Sequence, residues 1–402
     1  MKLQQVMRKR DCFAIIFLLL CLSGGSYALA NCAGIEDANS NVSSDSSANS
    51  NKKEKKIRSG QLWTDTDGNV INAHGGGIIF YEGIYYWFGE HRPLSGFTTE
   101  EGVSCYSSDD LCNWKYEGIS LTVTNEAGHD LERGCIIERP KVIYNAVTNK
   151  FVMWFHLELK GMGYGPACAA VAVSDTPIGP YRFISSGRIN PGVYPVNMTE
   201  KEREKNWDSP KYDKWWTPQW YKGIEQGMFV QRDLKGGQMS RDMTLFVDED
   251  GKAYHIYSSE DNLTIHIAEL SDDYLTHTGC YQRIFPGGHN EAPALFKKDN
   301  TYWMITSGCT GWDPNEARLM KAKSIMGEWT QLPNPCRGEN SDKTFGGQST
   351  FVLTMQDKKP QYIFMADLWR PKKLADSRYI WLPIQFDHND RPYIEWQEEW
   401  QP

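Results

Sequence analysis

From Leu62 to the C-terminus the apolar residues fall in short runs broken by Gly, Asp or Asn, the spacing of strands joined by tight turns. Helical periodicity is scarce. One unit recurs five times, a short apolar strand, a polar turn and an aromatic strand. It appears as Gly77–Phe88, as Lys141–Tyr144 turning into Phe151–Phe155, and as Met243–Phe246 turning into Ala253–Tyr257. It returns as Ala294–Phe296 into Tyr302–Ile305, and as Thr350–Leu353 turning near Asp357 to Pro360 into Tyr362–Met365. A weaker pair follows, for example Val171–Ser174 with Gly179–Phe183, or Met320–Lys323 with Gly327–Thr330. Inner strands apolar on both faces, followed by more amphipathic outer ones, describe a propeller blade. Five such units use the chain from Arg58 to Pro402 and leave no room for a second domain of ordinary size. The predicted fold is therefore an all-β, five-bladed β-propeller. A β-sandwich also alternates strands and turns, but has no reason to repeat the same aromatic hairpin.

The period breaks once, from about Asn190 to Gln238, in a stretch carrying Trp207, Trp215, Trp216, Trp220, Tyr212 and Tyr221 among many charged residues. This aromatic density argues against disorder and leaves two readings, a wall of a sugar-binding cleft or packing over the blade edges. At the other extreme, Lys2, Arg8, Lys9 and Arg10 precede an apolar run, Phe13–Leu22, too short to span a membrane. Residues 1–31 read as an export signal. Ala28-Leu29-Ala30 suits an ordinary signal peptidase, whereas Leu29-Ala30-Asn31-Cys32 resembles a bacterial lipobox in which Cys32 is lipidated. The Asn/Ser-rich stretch over residues 32–56, suited to a tether, favours the lipid reading. The expectation is an exported bacterial protein at the cell envelope, touching membrane only through its lipid, with its folded domain over residues 57–402.

Composition narrows the partner. Hydrophobic residues make up 40% of the 402, and a net charge of -8 argues against nucleic acid or an anionic membrane surface, both of which select basic patches. A neutral or weakly charged ligand fits better, and a monomer is expected. With Cys12 and Cys21 in the leader and Cys32 at its end, there remain Cys105, Cys112, Cys135, Cys168, Cys280, Cys309 and Cys336, an odd number with no CxxC spacing, so a zinc site is not expected. Cys309 and Cys336 flank one hairpin and are the expected disulfide.

In a propeller the residues just before each inner strand converge at one mouth of the central channel. Here those positions read His74, Glu138-Arg139-Pro140, Arg241-Asp242-Met243, Glu291-Ala292-Pro293 and Gly346-Gly347-Gln348-Ser349. Converging carboxylates are costly unless paired or used, which points to a site. Glycoside hydrolysis needs a protonated acid for the leaving oxygen and, for inversion, a group that orients or deprotonates water. Glu291, among apolar strand residues, is the best acid, and an ionised Asp242 beside it would raise its pKa further. The alternatives are a Glu291 satisfied by backbone amides and an Asp242 held in a structural salt bridge with Arg241 or Arg139.

These motifs resemble glycoside hydrolase family 43. Ala73-His74-Gly75-Gly76-Gly77, Glu138-Arg139-Pro140-Lys141-Val142, Ser240-Arg241-Asp242-Met243, Glu291-Ala292-Pro293 and Gly346-Gly347-Gln348-Ser349-Thr350 are most similar to its exo-β-1,3-galactosidase branch, subfamily 24. The resemblance implies Glu291 as acid, Asp242 as modulator of its pKa, and removal of terminal galactose from β-1,3-galactan with inversion. Most of the family carries an Asp base at the start of the first blade, where this chain has His74. In the galactosidase branch that task falls to positions matched by Glu138 and Gln348. An amide is a very weak base, so Gln348 would either position water or act as an imidic tautomer, and Glu138 could instead grip a sugar hydroxyl. Glu90, His74, Thr310, Trp312 and Asp313 are expected to border the pocket and bind sugar. The chemistry requires no cofactor or metal; relatives hold a calcium or sodium ion in the channel, which the sequence does not reveal. An α-L-arabinofuranosidase or β-xylosidase of the same fold, or a non-catalytic surface glycan-binding propeller, are the alternatives.

Overall fold

The computed structural model describes residues 55–355 and 361–402; the export signal, Cys32, most of the tether and the fifth hairpin's turn lie outside the described residues. Five antiparallel blades succeed one another along the chain. Blade one holds β1 (His74–Tyr81), β2 (Ile84–Glu90), β3 (Gly102–Ser108) and β4 (Lys115–Thr122). Blade two holds β5 (Ile136–Asn145), β6 (Lys150–Glu158), β7 (Cys168–Ser174) and β8 (Arg182–Gly187), and blade three β9 (Met243–Val247), β10 (Ala253–Ser259), β11 (Thr264–Leu270) and β12 (His277–Ile284). Blade four has β13 (Asn290–Lys298), β14 (Thr301–Gly308), β15 (Arg318–Ala322) and β16 (Trp329–Leu332). Blade five adds a short parallel edge, β17 (Cys336–Arg337), to β18 (Gln348–Met355), β19 (Gln361–Leu368), β20 (Arg378–Phe386) and β21 (Pro392–Glu395). All five predicted hairpins form the two innermost strands of their blades.

Double-sided burial has a simple cause: each blade packs face to face on its neighbours. Phe88 and Val103 of blade one meet Val142, Phe151 and Met153 of blade two. Trp154 and Val171 of blade two meet Met243, Leu245 and Tyr257 of blade three. Equivalent apolar layers join blades three and four, and four and five. The ring closes between blades five and one, where Trp381 and Trp400 pack with Trp87, Trp114 and Ile57, and Ile57 pairs with Trp400 through two backbone hydrogen bonds. Burial of these flat side chains, at about 25 cal/mol per Å² of apolar surface, is the main stabilising contribution.

The interruption between blades two and three folds into short helices α1 (Glu200–Arg203), α2 (Pro218–Glu225) and α3 (Met228–Asp233). Trp220, Ile224, Met228 and Phe229 form a small core of their own against Leu263 of blade three, with Trp207, Tyr212 and Tyr221 packed around it. The reading of this stretch as packing over a blade edge holds; none of its residues lines the cavity described below.

The expected Cys309–Cys336 disulfide does not form. Cys309 follows β14 on blade four and turns its thiol to the carbonyl of Asn262, whereas Cys336 pairs with Ile394 at the edge of blade five. The two cysteines do flank a hairpin, β15–β16 of blade four, but the chain after it crosses to blade five and carries Cys336 away from Cys309.

Candidate active site

A cavity of about 250 Å³ opens at the mouth where the inner strands begin. Its walls include Glu90, Glu138, Arg139, Asp242, Asn262, Glu291, Trp312, Gln348 and Trp369. Four of the five inner strands carry an irregularity in register at this end: His74/Gly77, Glu138/Lys141, Glu291/Ala294 and Ser349/Phe351. An extra residue in a strand bends it and re-aims its side chains. Arg139 (φ +55°) and Ala292 (φ +53°) take the left-handed conformation within two of these bulges, bringing Glu138, Arg139 and Glu291 to the cavity. In β1 the same place is taken by Gly75 at φ +60°, where a Cβ would come within 2.2 Å of a Glu90 carboxylate oxygen. The glycine-rich start of blade one makes room for Glu90.

On the side of blades three and four, no cation among the described residues forms an ion pair with Glu291. Asn262 Nδ2 donates to its Oε1 at 2.6 Å. Burial and, next, the charge of Asp242 raise its pKa to about 8. The Cys309 thiol, pushed up by burial and by Glu291, stays protonated. Asp242 accepts from Arg139 Nη2 at 2.9 Å. The salt bridge weighed as an alternative for Asp242 is therefore present, with Arg139, and coexists with its place in the cavity wall.

On the side of blades one and two the carboxylates are clamped. Arg92 contacts Glu90 and, at 3.2 Å, Glu138. Glu138 also accepts from the Tyr164 hydroxyl at 2.9 Å and faces His156 Nδ1 at 3.1 Å, while His156 Nε2 meets Glu158 at 2.9 Å. Against the upward push of burial, the His156 hydrogen bond and the Arg92 charge hold Glu138 well below the usual carboxylate range. His156, despite its own burial, is lifted to about 9 by its two carboxylates and serves as a buried cation. Glu90, more deeply buried, is raised to about 7 in spite of Arg92.

Gln348 joins the two sides. Its Oε1 accepts from Arg139 Nη2 at 2.6 Å and from Trp369 Nε1 at 2.9 Å, and its Nε2 donates to Ser307 Oγ at 3.1 Å. Both lone pairs of the carbonyl oxygen are occupied by N–H donors, so the surroundings favour the amide over the imidic form, whose O–H would face two donors. The second amide N–H has no protein partner among the described residues.

Several expected contacts fall elsewhere. His74 is fully buried, stacked on Tyr379 at 5.1 Å with Nδ1 3.5 Å from Asp367, and does not line the cavity. A ring packed behind the wall cannot touch sugar. Thr310 and Asp313 are exposed and build a turn, Thr310 Oγ1 donating to the Asp313 carbonyl at 2.6 Å; they present Gly311 and Trp312, which do line the cavity. Arg92, His156, Tyr164, Asn262 and Trp369 were not among the expected site residues. Each lies at or just beyond the end of the second strand of a blade, and that end reaches the same mouth as the start of the first.

The channel cation known in relatives fits poorly at this level. Lys141, buried on β5 with its pKa lowered to about 7 by burial, donates from Nζ to the Gly75 carbonyl at 2.8 Å and to that of Arg139 at 3.4 Å, so its amino group already takes up carbonyls a cation would use. Among the described residues no group of three or more His, Cys, Asp or Glu is placed to hold a metal. A larger cavity, about 460 Å³, lies at the hairpin-turn ends of the inner strands, but there Asp248 pairs with Lys297 and Tyr302 and nothing resembles an acid with its proton retained.

No curated protein matches the chain. Residues 208–368 match the model for glycosyl hydrolases family 43. Among solved structures, a GH43 β-1,3-galactosidase with galactodeoxynojirimycin is 73% identical, with a TM-score of 0.85, over 86% of this chain and 100% of that one. An exo-β-1,3-galactanase from Clostridium thermocellum is 37% identical (TM-score 0.71), covering 86% of this chain and 66% of that one. One from Phanerochaete chrysosporium, solved with galactose, is 30% identical (TM-score 0.68), over 86% and 68%. With its five blades, a cavity carboxyl held above the usual range at Glu291 and these likenesses, the chain belongs to glycoside hydrolase family 43.

Proposed function

We propose that this enzyme removes terminal galactose from the end of β-1,3-galactan with inversion of configuration. The observation that carries the mechanism is the contrast within one cavity between Glu291, which keeps its proton near neutrality, and Glu138, which does not. Glu291 gives its proton to the glycosidic oxygen as the bond to C1 breaks, and Asp242 holds the pKa of that acid high. Blade order puts Glu138 and Glu90 across the ring from Glu291, where an inverting enzyme needs its water. Gln348 offers that water its second N–H, and Glu138 takes up the proton. A weakly basic carboxylate suffices, because the oxocarbenium-like transition state asks little of the nucleophile. Glu90 and Trp312 bind the sugar, and Glu90 meets its hydroxyls.

A cavity of about 250 Å³ suits one sugar ring, not a chain, which favours exo action. The substrate class is supported by a Phanerochaete relative solved with β-1,3-galactotriose and by the galactose mimic in the relative that is 73% identical. The leader and Cys32 support a lipid-anchored place at the cell envelope. Proton NMR during early hydrolysis of β-1,3-galactan is the test: α-galactose appears first, whereas an initial β product, or release of arabinose or xylose instead, contradicts the reading.

A further inference from the structure

The acid faces the glycosidic oxygen, so the departing galactan chain leaves the cavity on the Glu291 side, at blades three and four. What lies there is the aromatic insertion. Two short paths join it to the acid. His289, two residues before Glu291, stacks on Trp216 at 5.6 Å with the rings 23° apart, and lies 3.3 Å from the Tyr221 hydroxyl. Asn262, the hydrogen-bond donor to Glu291, is followed directly by Leu263, which is buried in the core of the insertion.

On this mount Trp215 and Trp216 are 47% and 60% exposed, although Trp220, in contact with both, is completely buried. Core formation accounts for Trp220; the outer two indoles pack on it and on Phe229 or Tyr221 from one side and leave about half of their surface to solvent. Trp216 moreover sits at φ +67°, a conformation that bulky side chains rarely adopt and that costs free energy to hold. The seat is rigid: Arg283 grips Glu260 through two bonds of 2.6 and 2.7 Å and donates to the Ile224 carbonyl at 2.7 Å, tying α2 to blade three.

We infer that Trp216, backed by His289 and flanked by Trp215, is a stacking platform for galactosyl units on the leaving-group side of the galactan chain. The inference rests on the exo-galactanase reading above. Indole faces match the apolar face of a pyranose, and the platform stands outside the catalytic cavity, where every unit beyond the terminal galactose must lie.

The test compares kcat/KM of the whole enzyme on 4-nitrophenyl β-galactoside and on β-1,3-galactobiose, galactotriose and galactotetraose. Wild type gains with chain length. In Trp216→Gly, which also relieves the backbone, the ratio of galactotetraose to aryl galactoside falls about tenfold or more, through KM, while Trp216→Phe keeps most of it. A purely structural role moves both substrates together, leaves the ratio untouched and overturns the platform, as does a wild-type enzyme with no gain in kcat/KM beyond galactobiose. If wild type frees no galactose from any substrate, the exo-galactanase reading fails and the platform with it.

Discussion

Glu291 and Glu138 are the same side chain, one half-buried and one buried in the same cavity wall, and they end in opposite protonation states. Around Glu138 the chain gathers Arg92, the imidazolium of His156 and the Tyr164 hydroxyl. Around Glu291 it places an amide, a thiol and the negative charge of Asp242, and sends the nearest guanidinium, Arg139, to Asp242 and Gln348 instead. Burial pushes both carboxyls up, so partners and not depth decide which is an acid and which an anion.

The difference can be broken from either side. Glu291→Gln keeps the shape and removes the proton donor, so kcat on galactan falls by about 10³-fold or more. Its effect on stability has the opposite sign to that of most buried substitutions. A carboxyl with a raised folded pKa is tolerated at low pH and destabilises as pH climbs towards about 8. The melting temperature of Glu291→Gln therefore exceeds wild type by a margin that grows from pH 5 to pH 8, and an equal or lower value at pH 8 contradicts the assignment.

Glu138→Gln also loses activity, by about 10²-fold, but is destabilised, by about 3 kcal/mol, because Arg92 and His156 lose a shared anion in a buried place. Thermal melts at pH 7 check the pair: two inactive variants, one more stable than wild type and one less.

Much of this was legible from the chain. The repeated aromatic hairpin gives the blade count, and the rule that inner strands start at one mouth finds Glu138, Asp242, Glu291 and Gln348, which the structure does bring together. That rule is half of the geometry. The second strand runs back to the same mouth, so its end matters equally, and Arg92, His156, Asn262 and Trp369 belong to the site for the same topological reason as Glu90. His74 went astray because a bulge decides which residue near a strand start faces the channel, and a bulge leaves little trace in a hydrophobic pattern. The thiols misled for a related reason: Cys309 and Cys336 are near in sequence, but the chain between them crosses from blade four to blade five.

The central claim is that Glu291 holds its proton at neutrality because it is buried next to Asp242. The most direct measurement is kcat/KM against pH for wild type and Asp242→Asn. The account predicts a basic limb near pH 8 in wild type, since activity is lost as the acid ionises, and a limb moved to lower pH in the variant, where the charge that raised the pKa is gone. A limb that stays in place when Asp242 is neutralised, or one already complete below pH 6 in wild type, would contradict it.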